Sequence, residues 1–129
     1  MDRIATLQSF FSRFLPSYEE NALYSQPTRP AFPYLTYEGV FGRYDPAINA
    51  STSCTFSTWY RESGWVNSVN KTQEISRAIP TQGLRLLCDE GVIIITAESD
   101  PFGSRMGDDS DDLIKRMVHR IGITFFTTN

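Results

Sequence analysis

Four aspartates crowd into five positions, Asp108, Asp109, Asp111 and Asp112, and carboxylates at that density are the hard oxygen donors a divalent cation prefers. Their spacing does not suit the task. In a calcium loop starting at Asp108, the turn glycine would fall on Leu113 and the closing glutamate on His119, so both required residues are missing. The cluster instead reads as a solvated loop whose negative charge favours the start of a helical turn over Leu113 to Arg116. His119 is the only histidine, and any serine or cysteine nucleophile would need it as a base. On a strand it shares parity with Met117, Ile121 and Ile123, which makes it a core or interfacial histidine rather than a catalytic one. Gly103-Ser104-Arg105 lacks the flanks of a nucleophile elbow, and there is no phosphate-binding glycine loop. Glu19 and Glu20 could be offered as an acid and base pair, but adjacent carboxylates in a loop are expected simply to be exposed. Cys54 and Cys88 lie in strand-like segments on the parity of apolar neighbours and read as two reduced core thiols rather than a disulfide or half a metal site. No catalytic residue, metal or cofactor is expected, and the chain reads as a non-enzyme.

The elements that must position these residues follow from periodicity. From Asp2 as N-cap, Ile4, Leu7, Phe11 and Phe14 recur at helical spacing until Pro16, giving a first amphipathic helix. Residues Ser17 to Pro33 contain Pro27, Pro30 and Pro33 among polar groups, which predicts a long extended connection and a candidate arm towards a neighbouring molecule. Tyr34 to Glu38 reads as a short strand. A polar stretch over Asn49 to Ser53 precedes a second strand, Cys54 to Arg61, that is partly apolar on both faces. Trp65, Val69, Thr72, Ile75 and Ile79 form the stripe of a second helix, with Ser63 as expected N-cap and Pro80 as the stop. Leu84 to Cys88 and Val92 to Glu98 pair as a hairpin around a three-residue loop, Asp89-Glu90-Gly91, with a second arm apolar on both faces as in a central strand. A polar loop over Ser99 to Ser110 leads to a last long strand ending in Ile121, Ile123 and Phe125. The fold class is therefore α+β: an antiparallel or mixed sheet of about five strands with two amphipathic helices, in one domain over residues 1–129.

Composition narrows the classes further. A chain of 129 residues that is 40% hydrophobic and 21% charged can bury one ordinary core, which sets aside disordered and membrane chains. The start, Met1-Asp2-Arg3-Ile4, lacks the pattern of a secretion signal, so the protein is expected to stay in the cell that makes it. A formal net charge of −3 argues against general nucleic-acid binding, which needs a basic face.

What the sequence does carry is aromatic and arginine density, the residue types enriched where protein meets protein. Tyr34, Tyr37, Phe41, Trp59, Tyr60, Trp65, Phe102, Phe125 and Phe126 accompany Arg43, Arg61, Arg105, Arg116 and Arg120. The interface candidates are Pro27, Arg29, Pro30, Phe32, Tyr34, Tyr37, Arg43, Trp59, Arg61, Phe102, Arg105, Arg116 and Arg120.

Three stretches carry a family resemblance. They are Phe32-Pro33-Tyr34-Leu35-Thr36-Tyr37, then Phe56-Ser57-Thr58-Trp59-Tyr60-Arg61-Glu62-Ser63-Gly64-Trp65, and finally Asp100-Pro101-Phe102-Gly103-Ser104-Arg105-Met106 with Asp111-Asp112-Leu113-Ile114-Lys115-Arg116 and the ending Phe125-Phe126-Thr127-Thr128-Asn129. In this order the chain resembles, over nearly its whole length, the neck or tail terminator proteins of tailed bacteriophages and prophages. The resemblance implies a structural virion protein, without enzyme activity or cofactor. Such a protein forms a homohexameric ring that caps the head-proximal end of the tail tube. Its implied partners are further copies of itself, the tail tube protein and a head connector, adaptor or head completion protein. It would assemble in the host cytoplasm with no membrane involved, and DNA would pass through the channel without specific binding. Asp108, Asp109, Asp111 and Asp112 are the candidates to face that channel, where they would repel phosphates. Ala47 to Ser53 has no counterpart in the family pattern. Another ring of the neck, or a small metal-dependent nucleic-acid-processing enzyme, are the alternative readings.

Overall fold

A computed structural model describes residues 1–25, 28–38, 50–98, 101–107 and 111–127. Pro27, Phe41, Arg43, Asp108 and Asp109 lie outside the described residues, as does the part of the Ala47 to Ser53 stretch before residue 50.

Helix α1 spans Arg3–Ser12, and its start is fixed twice. The Asp2 carboxylate accepts the Ala5 N–H at 2.7 Å, a cap contributing about 1 kcal/mol, and the Glu90 carboxylate accepts the Arg3 N–H at 3.1 Å from another part of the chain. The buried stripe is Thr6, Leu7, Phe10 and Phe11, while Ile4 is 49% exposed. The expected stripe is thus rotated, because two phenylalanines three and four residues beyond Leu7 bury more apolar area than Ile4 could.

The expected extended arm is corrected in its first half. Ser17–Glu19 forms strand β1, pairing in parallel with β2 (Tyr34–Tyr37), and Glu20–Tyr24 forms a short helix α2. The prolines exclude helix only after Tyr24. Before them, the Glu19 carboxylate accepts the N–H groups of Asn21 and Ala22 at 3.0 and 2.9 Å and caps the turn.

Strand β3 runs over Ala50–Arg61, taking in residues 50–53 that read as loop. Helix α3 spans Val66–Arg77 and is followed by β4 (Leu84–Cys88), β5 (Gly91–Ala97), β6 (Gly103–Gly107) and β7 (Ile114–Thr127). Trp65, not Ser63, occupies the cap position of α3 and makes no side-chain cap bond. The hairpin loop has two residues, Asp89 and Glu90, since Gly91 already pairs with Cys88. No helical turn follows the acidic run. The Asp111 carboxylate accepts the Leu113 N–H at 2.9 Å and the chain enters β7 at Ile114.

The architecture is α+β as expected, and the described residues form three helices and a mixed sheet of seven strands rather than two helices and about five strands. The order is β1-β2-β3-β7-β5-β4, and β6 also pairs with β7. Strand β7 pairs with β3 along one side, while on the other it takes β6 opposite Lys115 to His119 and β5 opposite Ile121 to Thr127. One face of this sheet is the core face. Leu35, Cys54, Phe56, Ile93, Ile95, Ile121 and Ile123 on it, with Phe10 and Phe11 of α1 and Ile75 of α3, form one buried cluster. No described helix is long and apolar enough to cross a membrane.

Candidate functional site

The opposite face of the sheet carries most of the arginine and aromatic candidates, because alternation puts Tyr34, Thr36, Ser57, Trp59 and Arg116 on the side away from Phe56. They form a continuous row in which Tyr34, 2% exposed, and Thr36 and Ser57 are buried, so its accessible members are Arg29, Phe32, Trp59 and Arg116. The Arg29 guanidinium lies 6.0 Å from the Phe32 ring centre, Phe32 is 5.3 Å from Tyr34, and Tyr34 stacks on Trp59 at 5.9 Å. Arg116 then covers Trp59, its guanidinium carbon 4.7 Å from the ring centre. Both ends of the Trp59–Arg116 pair are tied down. The indole N–H donates to Thr36 Oγ1 at 2.9 Å, and Arg116 Nε donates to Ser57 Oγ at 3.0 Å. Arg116 also reaches Met106 Sδ at 3.3 Å.

Beside this row is a cleft of about 260 Å³, walled by α2 through Leu23 and Tyr24, by Thr28, Arg29 and Pro30, and by Tyr34, Thr36 and Trp59. Burial pushes the Tyr34 phenol above its ordinary value, opposed in part by Arg29. Burial also raises Glu20, with Glu38 adding to the rise and Arg116 opposing it. The row contains no nucleophile with a base beside it. Aromatic rings and guanidinium groups are the residue types enriched where protein surfaces meet.

Other candidates lie elsewhere. Tyr37 is 8% exposed on the core face, stacked on Phe11 at 4.5 Å and donating to Gln8 Oε1, so it belongs to the core and offers no surface to a partner. Phe102 packs inward 5.2 Å from His119 and 6.2 Å from Phe56. Arg105 forms a second centre with Trp65, 5.2 Å from its ring, where Lys115 also lies within 5.6 Å. Arg61 pairs with the Asp111 carboxylate at 3.3 Å, leaving that aspartate partly neutralised, while Asp112 is exposed and Arg120 projects from the outer face of β7. Among the described residues, no three His, Cys, Asp or Glu side chains come together in a way that could hold a metal ion. His119 is a core residue, 1% exposed, with Nε2 hydrogen-bonded to Thr72 Oγ1 at 2.8 Å. Both thiols are free, Cys54 buried and Cys88 half-buried.

No family model, curated protein or solved structure matches this chain.

Sequence reasoning missed one surface. Strand β5 is central in the sheet, yet its outer face is not covered as a central strand's would be. Val92 and Ile94 are only half-buried there, beside Leu87 at 74% and Phe126 at 39% exposure. Leu87 opposes Val92, and Val92 opposes Phe126, so the four make one apolar patch bounded by the edge strand β4. The signal was present in the unbroken apolar run Val92 to Ile95, which reads equally as double coverage or as an exposed apolar face.

Proposed function

We propose that the chain is a structural subunit of a homohexameric ring at the neck of a tailed bacteriophage, the terminator that caps the tail tube and joins it to the head connector. The observation that carries this reading is the ordered set of three resembling stretches. They coincide with β2 and its approach, with β3 through the start of α3, and with β6 through β7. Of the residues in these stretches, Phe32, Tyr34, Trp59 and Arg116 meet in the arginine and aromatic row, whereas Phe102 packs inward and Arg105 lies with Trp65.

Two features support assembly. A head-to-tail ring needs two different complementary patches on each subunit. The Leu87, Val92, Ile94 and Phe126 patch beside open edge strand β4 offers one, and the Arg29 to Arg116 row, towards the opposite edge of the sheet, offers another. In this reading the partners are further copies, the tail tube protein and a head-side connector or completion protein, the location is the virion, and DNA passes through the channel. Asp112, exposed next to the Arg61–Asp111 pair, is the described member of the acidic run best placed to repel that DNA.

Imaging the purified protein tests the proposal, since a six-fold ring with a central channel is expected at assembly concentrations. Leu87→Asp should abolish the ring and leave the melting curve of the subunit unchanged, because the side chain is largely exposed. Deleting the gene from its phage should give filled heads and unjoined, aberrant tails. A strictly monomeric protein, together with phage of normal morphology after deletion, overturns the reading.

A further inference from the structure

A second feature of the surface stands apart from the patches assigned above. Strand β6 pairs with β7 along one edge only, and along its other edge the backbone has no hydrogen-bond partner among the described residues. Next to it, between β6 and α3, runs an open groove of about 420 Å³. Its walls include Thr72, Ser76 and Arg77 of α3, and Phe102, Arg105 and Met117 on the sheet side. Gly103 contributes no side chain there. A Cβ on it would stand 2.7 Å from Thr72 Cγ2 and 2.9 Å from Met117 Cε, so glycine keeps helix and strand at this separation.

We infer that this groove binds an extended acidic peptide segment of a partner, which joins the sheet as a strand beside β6 and lays alternate side chains between β6 and α3. Three observations converge on that occupant. An unpaired strand edge supplies main-chain donors and acceptors in a row, which only an extended backbone can satisfy in register. The groove floor at Met117 and Phe102 is apolar and takes the side chains of one face of such a strand. The charge is one-sided. Arg77 and Arg105 line the groove, none of the other described lining residues carries a carboxylate, and Lys115 sits with Arg105 at Trp65. Complementarity therefore selects carboxylates on the incoming segment. Nothing in this inference depends on the ring, since a monomer presents the same groove.

The test uses the full chain and a fluorescein-labelled peptide, acetyl-Glu-Val-Glu-Val-Glu-Val-Glu, with its lysine-for-glutamate counterpart as control, titrated by fluorescence anisotropy at low salt. Saturable binding of the glutamate peptide is expected, with the lysine peptide at least about 10-fold weaker. Arg77→Glu, an exposed change at the end of α3, should weaken binding by about 10-fold or more. Gln73→Trp, equally exposed, should fill the groove and remove binding. Since Arg105 also rests on Trp65, these two α3 variants, checked by melting curve, carry the test. Amide exchange over residues 103–107 should slow when the peptide is added. Equal affinity for the two peptides overturns the inference. So does unchanged exchange in β6, binding that survives Gln73→Trp, or no saturable binding below about 1 mM.

Discussion

Acidifying the solution should weaken the fold through one side chain, His119. Its ring lies between Phe56, stacked at 4.6 Å, and Phe102 at 5.2 Å, and Nε2 meets a neutral hydroxyl, Thr72 Oγ1. Nδ1 is buried with only the Phe56 backbone to favour a charged ring, and among the described residues no carboxylate is hydrogen-bonded to it. Burial accordingly lowers the histidine from 6.5 to about 4, outweighing the opposing effect of the Phe56 backbone. Because the folded value lies below the unfolded one, the stabilising contribution is complete above pH 6.5 and is lost as pH falls towards 4. At about 1.4 kcal/mol per pH unit over that interval, the loss reaches about 3 kcal/mol, a large part of the 5–15 kcal/mol that holds a typical domain together. Urea unfolding at half-unit steps from pH 8 to pH 4 measures it. Glu20 works in the opposite direction, because its raised value makes ionisation unfavourable in the fold and stability is recovered as it protonates. The informative quantity is therefore the difference in slope between the wild type and His119→Phe, which retains a ring in the stack but cannot titrate. A difference approaching one proton between pH 4.5 and 6 is expected. Parallel pH profiles for the two proteins would refute the argument, since a buried neutral histidine cannot be removed without removing its titration.

Two further outcomes follow from the core. Phe11 is 1% exposed and touches Phe10, Tyr37 and Phe56 at ring separations of 5.3, 4.5 and 5.3 Å, so Phe11→Ala should cost about 3–5 kcal/mol in urea unfolding. A loss under about 1 kcal/mol would mean that α1 is not anchored on the sheet as described. The Cys54 thiol is buried and pushed up to about 12, first by desolvation and then by Glu38, whereas Cys88 is half-buried. Iodoacetamide at pH 8 should therefore modify Cys88 well before Cys54 in the native protein, and both only after unfolding. Mass spectrometry of the digested protein reads this directly, and equal native labelling would contradict the placement of Cys54.

The long elements were legible from the chain because each satisfies one period over many residues. Strands β3 and β7, helix α1 and the β4–β5 hairpin all followed from alternation, helical spacing or a turn signal. The hidden elements are short and lack such a pattern. Strand β6 is Gly-Ser-Arg-Met-Gly, with glycine at both ends and exposed residues between, and it is a strand only because β7 offers it a ladder. Helix α2 is five residues long and depends on the Glu19 carboxylate, which looked like an exposed loop charge. Among the site candidates, Trp59, Tyr34, Arg116 and Arg29 turn out to be neighbours in one row on the outer face, with Tyr34 buried in it. Residue type could not separate them from Tyr37, which differs from Tyr34 only in which face of β2 it occupies. That choice is set by α1, far away in sequence.

The double-sided pairing of β7 also decides when the protein can fold. Neither β5 nor β6 bonds to β3, so all three meet only through residues 114–127. On the ribosome, everything made before residue 114 amounts to a β1–β2–β3 ladder, a lone hairpin and an unpaired β6, none of which can close the shared core. The nascent chain must therefore carry β3, β5 and β6 without their shared partner strand until β7 emerges. Cooperative folding then begins after synthesis of the sheet's last partner, with the long-range pairing that makes such topologies slow.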